Sequence, residues 1–141
     1  MTIIEAMLVV SAWLAPLPTV RASGSATVYY PGDGHSGSQL GCVAAARRIY
    51  GTAEFRAGTP VIAMRPGNRP PCGTRVVVEH RDRRAAAVML DSGPYGADCP
   101  EGRRVVATLP RECQWRGVAD LSVPVARAVG LRGRGKVKIR W

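Results

Sequence analysis

Between Ala86 and Gly96 the chain reads Ala-Ala-Val-Met-Leu-Asp-Ser-Gly-Pro-Tyr-Gly, and no other stretch restricts the fold as much. The five apolar residues Ala86 to Leu90 read as a buried strand. Ser92, Gly93 and Pro94 force a turn directly after it, because Gly and Pro interrupt regular backbone more strongly than other residues. Asp91 stands where the strand stops. A carboxyl group at the exit of a buried strand loses part of its hydration, which raises its pKa and makes it a candidate proton donor. The same side chain can instead cap the turn through nearby backbone amides, as Asp commonly does. Both roles stand open from this stretch alone.

Other segments supply further strands. Gly73-Thr74 opens the run Arg75 to Glu79, and a polar turn from His80 to Arg84 leads into the Asp91 strand. Ala26 to Tyr30 and Lys136 to Trp141 read as strands near the two ends, and Val123 to Val129 as a short helix after Asp120-Leu121-Ser122. With 16 Gly, 11 Pro and a single Phe, the composition suits a turn-rich β protein more than a helix bundle. The length of 141 residues points to one domain.

Residues 1–22 read as a secretory leader, leaving 23–141 as the folded domain. Ala6 to Leu17 form an apolar run too short to span a bilayer, and Val20-Arg21-Ala22 offers small residues at the cleavage positions. Glu5 stands where a leader usually carries Lys or Arg, so an uncleaved N-terminal anchor is the other arrangement open. The four cysteines all follow Ala22, which fits an oxidising compartment; three pairings are open. Zinc is not expected, since there is no Cys-x-x-Cys pair and only His35 and His80 could add nitrogen ligands. No cofactor fingerprint is present. Gly130 to Gly135 is a Gly/Arg turn with no helix after it, hence not a phosphate loop.

The formal charge of +10 survives leader removal, because Arg21 and Glu5 leave together. It favours an anionic partner. The basic groups are scattered over Arg47-Arg48, Arg81 to Arg84, Arg103-Arg104 and Arg132 to Lys138, with few aromatics between them to stack on bases. Together with export, this makes an acidic wall polysaccharide the expected partner, not nucleic acid. A merely solvated basic surface is the plainer account of the same charge.

Four signposts in order carry a family resemblance: Ala26 to Tyr30, Pro71-Cys72-Gly73-Thr74, Asp91-Ser92-Gly93-Pro94-Tyr95, and Asp120-Leu121-Ser122. The chain resembles the rare lipoprotein A family and the first domain of expansins over nearly all of 26–141. The resemblance implies an all-β fold, a six-stranded double-psi β-barrel with short helices. It also implies glycan chemistry, since the family includes lytic transglycosylases of peptidoglycan. That reaction runs on one carboxyl group, whereas a glycoside hydrolase usually needs two. Asp91 falls on the family's acid. Tyr29 falls on its groove tyrosine, and Tyr95 and Asp120 lie on the same signposts. Asp120 can alternatively cap the Val123 helix.

Residues 97–118 form an insertion relative to the family, and Cys99 and Cys113 fall inside it. The resemblance therefore implies the pairs Cys99–Cys113 and Cys42–Cys72. Trp115, also inserted, is a candidate sugar platform or a packing residue for the clip. Unlike many relatives, the chain has no Cys just after its apolar run, so a lipid anchor is not expected. One departure touches catalysis. Where family enzymes carry a His, this chain has Met64, with extra residues Pro66 to Pro70 following. Met cannot exchange a proton. His35, in a Gly-rich loop beside Tyr29, is the better stand-in; His80 reads as a solvated turn residue.

The expectation is thus a monomeric secreted, periplasmic or wall protein without a stable membrane anchor. It would bind or slowly cleave peptidoglycan strands through Asp91. The alternatives are an expansin-like binder that does not cut, and a secreted interaction module built on the barrel.

Overall fold

The computed structural model describes residues 16–31, 39–94 and 117–141. Among these, six strands and two helices are present: β1 (Val20–Tyr29), α1 (Val43–Tyr50), β2 (Val61–Met64), β3 (Arg75–His80), β4 (Arg83–Asp91), β5 (Ala119–Ser122), α2 (Val123–Val129) and β6 (Arg134–Arg140). The strands close into a barrel in the order β1-β5-β2-β4-β3-β6. Two contacts are parallel, β1 with β5 and β2 with β4; the other four are antiparallel. Closure leaves no open sheet edge, and the fold is the mainly β, six-stranded barrel expected from the sequence.

Period-2 alternation explains the outer strands. In β6, Val137 and Ile139 turn inward while Arg134, Lys136 and Lys138 stay exposed. In β3, Val76 and Val78 are buried between residues that are less so. β2 departs from alternation, because all four of its residues are buried. It runs between β4 and β5, so both its edges are paired, and the burial of all four side chains shows that both its faces are covered as well. β4 mixes the two patterns. Ala87 to Leu90 are buried, but Ala86, expected inside the run, is exposed because the strand there has only reached its solvent-facing half. The polar turn narrows to Arg81-Asp82, and His80 closes β3.

β1 extends back to Val20, so it takes in the residues placed at the end of the leader. Ala22 is buried and pairs with Ile139 of β6. Arg21 Nε donates to the carbonyl of Trp141 at 2.6 Å, and the Trp141 amide donates to the carbonyl of Thr19 at 3.2 Å.

α2 spans the residues expected, with Val125, Ala126 and Val129 facing the core and Gly130 ending it at a φ of 70°. That left-handed stop is one Gly adopts without strain. α1 is an element the sequence does not announce. It buries Ala45 and Ala46 and carries Arg47 and Arg48 in its last turn, where cations favour the helix dipole. The expected Cys42–Cys72 disulfide is present, with Cα atoms 5.7 Å apart, and ties the start of α1 to the turn before β3. Cys99 and Cys113 lie outside the described residues. No described helix is long and apolar enough to cross a membrane.

Candidate functional site

The barrel's register brings the candidate aspartates into one row. Thr27 of β1 pairs with Asp120 of β5, Asp120 with Ala63 of β2, and Ala63 with Asp91 of β4. Paired residues share a sheet face, and adjacent strands lie about 4.8 Å apart, so the two Asp Cα atoms stand roughly 10 Å apart. Only the methyl group of Ala63 separates them in the row.

Asp91 is half-buried and held at three points. Its Oδ1 accepts from the Gly41 amide at 3.0 Å and from the Ser92 amide at 2.9 Å. Its Oδ2 faces the Tyr29 hydroxyl at 3.5 Å, a long contact. The carboxyl group therefore turns partly back into its own turn, and the two roles left open by the sequence coexist. One oxygen braces the turn. The other is the atom able to carry a proton. Burial pushes the carboxyl above its ordinary pKa; the Ser92 and Gly41 amides, the Tyr29 hydroxyl and the Arg69 charge oppose this without cancelling it.

Tyr29 is 8 % exposed, and its ring packs on Phe55 with centroids 4.7 Å apart and planes at 31°. Burial, followed by the charges of Asp91 and Asp120, pushes its phenol far above the usual range. It remains a protonated donor. Tyr29 thus offers Asp91 its hydroxyl, while Phe55 occupies its ring.

Asp120 does not cap α2. It lies within β5, before the N-cap residue Ser122, and its Oδ1 accepts from the Thr27 hydroxyl. Ser122 does not cap the helix with its side chain either, since its Oγ accepts from the Val61 amide at 3.0 Å. Both polar groups serve the sheet because β5 runs straight into α2 with no intervening loop. Asp120 also explains Gly93: a Cβ on that residue would lie 2.6 Å from Asp120 Oδ2. The turn after Asp91 therefore rests directly on the second carboxylate.

Met64 does not occupy a site position. It follows Ala63 in β2, so its side chain turns to the opposite face from the aspartate row, where it is fully buried. His80 stands at the far end of β4 from Asp91, and its Nδ1 donates to the Lys136 carbonyl at 2.8 Å. His35, Tyr95 and Trp115 lie outside the described residues.

Arg69 is the residue that sequence reasoning missed. Its Nη1 donates to Ser92 Oγ at 2.7 Å and to the carbonyls of Met64 and Asp91 at 3.3 Å. One guanidinium therefore ties the end of β2 to the end of β4. Its only signal in the sequence is a cation within the extra segment Pro66 to Pro70.

No family model matches the chain, and no curated protein matches it. Among solved structures it is similar to the Streptomyces papain inhibitor, with 18 % identity and a TM-score of 0.41 over 89 % of this chain and 98 % of that one.

Proposed function

We propose that the chain is an exported cell-wall protein that acts on peptidoglycan strands as a slow lytic transglycosylase, with Asp91 as its single acid and base. The observation that carries this reading is a half-buried carboxyl group at a strand end, raised in pKa, with one oxygen held by backbone amides and the other facing Tyr29. Protonated Asp91 Oδ2 gives its proton to the glycosidic oxygen as the sugar's bond to that oxygen breaks. The resulting carboxylate takes the proton of the sugar's own hydroxyl as that oxygen closes the anhydro ring. The proton count balances on one group. Likeness to the rare lipoprotein A signposts supports the substrate class, and the Cys42–Cys72 disulfide supports an oxidising compartment. Incubating the protein with peptidoglycan stripped of its peptides should release anhydro-sugar products detectable by mass spectrometry, and Asp91→Asn should release none.

A second reading is favoured by a specific observation. Two amides and a phenol already engage Asp91, and Arg69 braces the same turn, which suits a structural linchpin in a wall-binding protein that does not cut. Retention on peptidoglycan without any anhydro product, for wild type and Asp91→Asn alike, would select it.

A further inference from the structure

We propose that the face opposite the Asp91 end of the barrel is a binding groove for a linear polyol phosphate, a ring-free phosphodiester polymer. The proposal does not rest on the glycan chemistry assigned to Asp91. From Arg83 to Asp91 the chain runs eight strand steps, so the two ends of β4 stand roughly 26 Å apart.

Two basic stretches that lie far apart in sequence meet at this face. The β3–β4 turn supplies Arg81, while β6 and the loop before it supply Arg132, Arg134, Lys136 and Lys138. They border two clefts, of about 630 and 470 Å³, that share Arg81 and Lys136 and so adjoin. All five cations are exposed and carry no ion pair with another described residue. Among the described residues, Glu79 is the one carboxylate lining either cleft, and both its oxygens are engaged, Oε1 by Arg84 and Oε2 by Arg140. Asp82 sits exposed beside Arg81 at the tip of the turn. Among the described residues, the balance in the groove is strongly positive.

The arrangement of the cations narrows the ligand. Arg134, Lys136 and Lys138 alternate along β6 on its outer face, a repeat of about 6.8 Å. A ladder of that kind suits a polymer with regularly spaced single charges more than a lone anion. Among the described residues no Tyr, Trp or Phe lines either cleft, and the one ring there, His80, is tied by its Nδ1 to the Lys136 carbonyl, so large aromatic platforms for bases or sugar rings are absent from this lining. That favours a chain without rings. The two free oxygens of a phosphodiester diverge tetrahedrally and can meet cations on both walls, Arg81 from the turn and Lys136 from β6.

The test is binding of the folded protein to poly(glycerol phosphate), measured by fluorescence anisotropy over a series of salt concentrations. The Arg134→Gln/Lys136→Gln variant should bind about 25-fold more weakly at low salt. Its plot of log affinity against log salt should flatten by up to about 1.4, the single-strand value of about 0.7 for each cation removed from the groove. Arg47→Gln/Arg48→Gln removes the same charge from exposed positions on α1 and should change affinity less than about twofold. Equal weakening in both variants would reduce the effect to net charge and overturn the groove. Equal or tighter binding of oligothymidylate or polyglutamate would assign the face to nucleic acid or to acidic peptide instead, and no binding to any polymer would remove the site. Release of anhydro sugars should be unaltered by the groove variant, so failure of this proposal and failure of the Asp91 reading are separable.

Discussion

Replacing Asp91 by Asn and by Ala separates its charge from its hydrogen bonds. Asn keeps an amide oxygen where Oδ1 accepts from Gly41 and Ser92, and the Tyr29 hydroxyl can rotate to accept from the new NH₂ group. Ala leaves both amides without this partner. A hydrogen bond is worth about 1 kcal/mol net, and water reaches the exposed Gly41 contact, so Ala should be less stable than Asn by roughly 1–2 kcal/mol. The charge acts in the other direction. Because burial raises the Asp91 pKa, the folded state holds the proton more tightly than the unfolded chain. Wild type therefore loses stability relative to Asn as pH rises from the unfolded to the folded pKa, and the deficit stays in full above that window. Urea unfolding of the three proteins across the carboxylate range measures both effects. If Asn is as destabilising as Ala, or if the gap between wild type and Asn does not change with pH, the description of Asp91 as a desolvated, amide-braced acid is wrong.

Three further outcomes are expected. Replacing Cys42 and Cys72 by Ser opens a loop spanning a sequence separation of 30 and should lower unfolding stability by about 3.6 kcal/mol in the chain-entropy picture, read from denaturant curves. Gly93→Ala pushes a methyl group toward Asp120 Oδ2 and should cost roughly 1–3 kcal/mol. Asp120→Ala in the same chain should recover part of that deficit, and strict additivity of the two would refute the contact. For Glu79, burial alone would raise the carboxyl pKa, but Arg140 and Arg84 hold it below the ordinary range. Glu79→Gln should therefore lower stability at neutral pH, with the gap closing as pH falls through the folded carboxylate pKa; a constant gap in thermal melts down to acid pH would argue against it.

Much of the barrel is legible in the sequence because strand formation leaves local marks. The apolar run ending at Asp91, the turn around Arg81-Asp82, the alternation before Trp141 and the Pro-containing helix ended by Gly130 all announce themselves within a few residues. β2 and β5 escape as strands, since four residues are too few to establish a period, and Ala and Ser carry little strand preference. α1 escapes because its short buried face is made of Ala45 and Ala46, side chains that give almost no apolar contrast.

The site divides along the same line. Asp91 is visible from its neighbours in the chain, because the end of a buried run followed by Ser-Gly-Pro is a local property. Its partners depend on register. Nothing near Asp120 indicates that it faces Thr27 and rests on Gly93, and nothing near Arg69 indicates that its guanidinium reaches Ser92. Met64 illustrates the limit from the other side. Aligned with a family position, it looks like a missing catalytic group, yet one step of strand alternation turns it away from the row to which Ala63 belongs. The basic groove has the same origin, with Arg81 and Lys136 brought to one wall pair only when β3 and β6 become neighbours. Local chain chemistry decides which segments extend and where they stop. Which side chains meet is decided by barrel closure and register, because pairing acts between residues as far apart in the chain as Val20 and Arg140 and leaves no periodic trace in either partner.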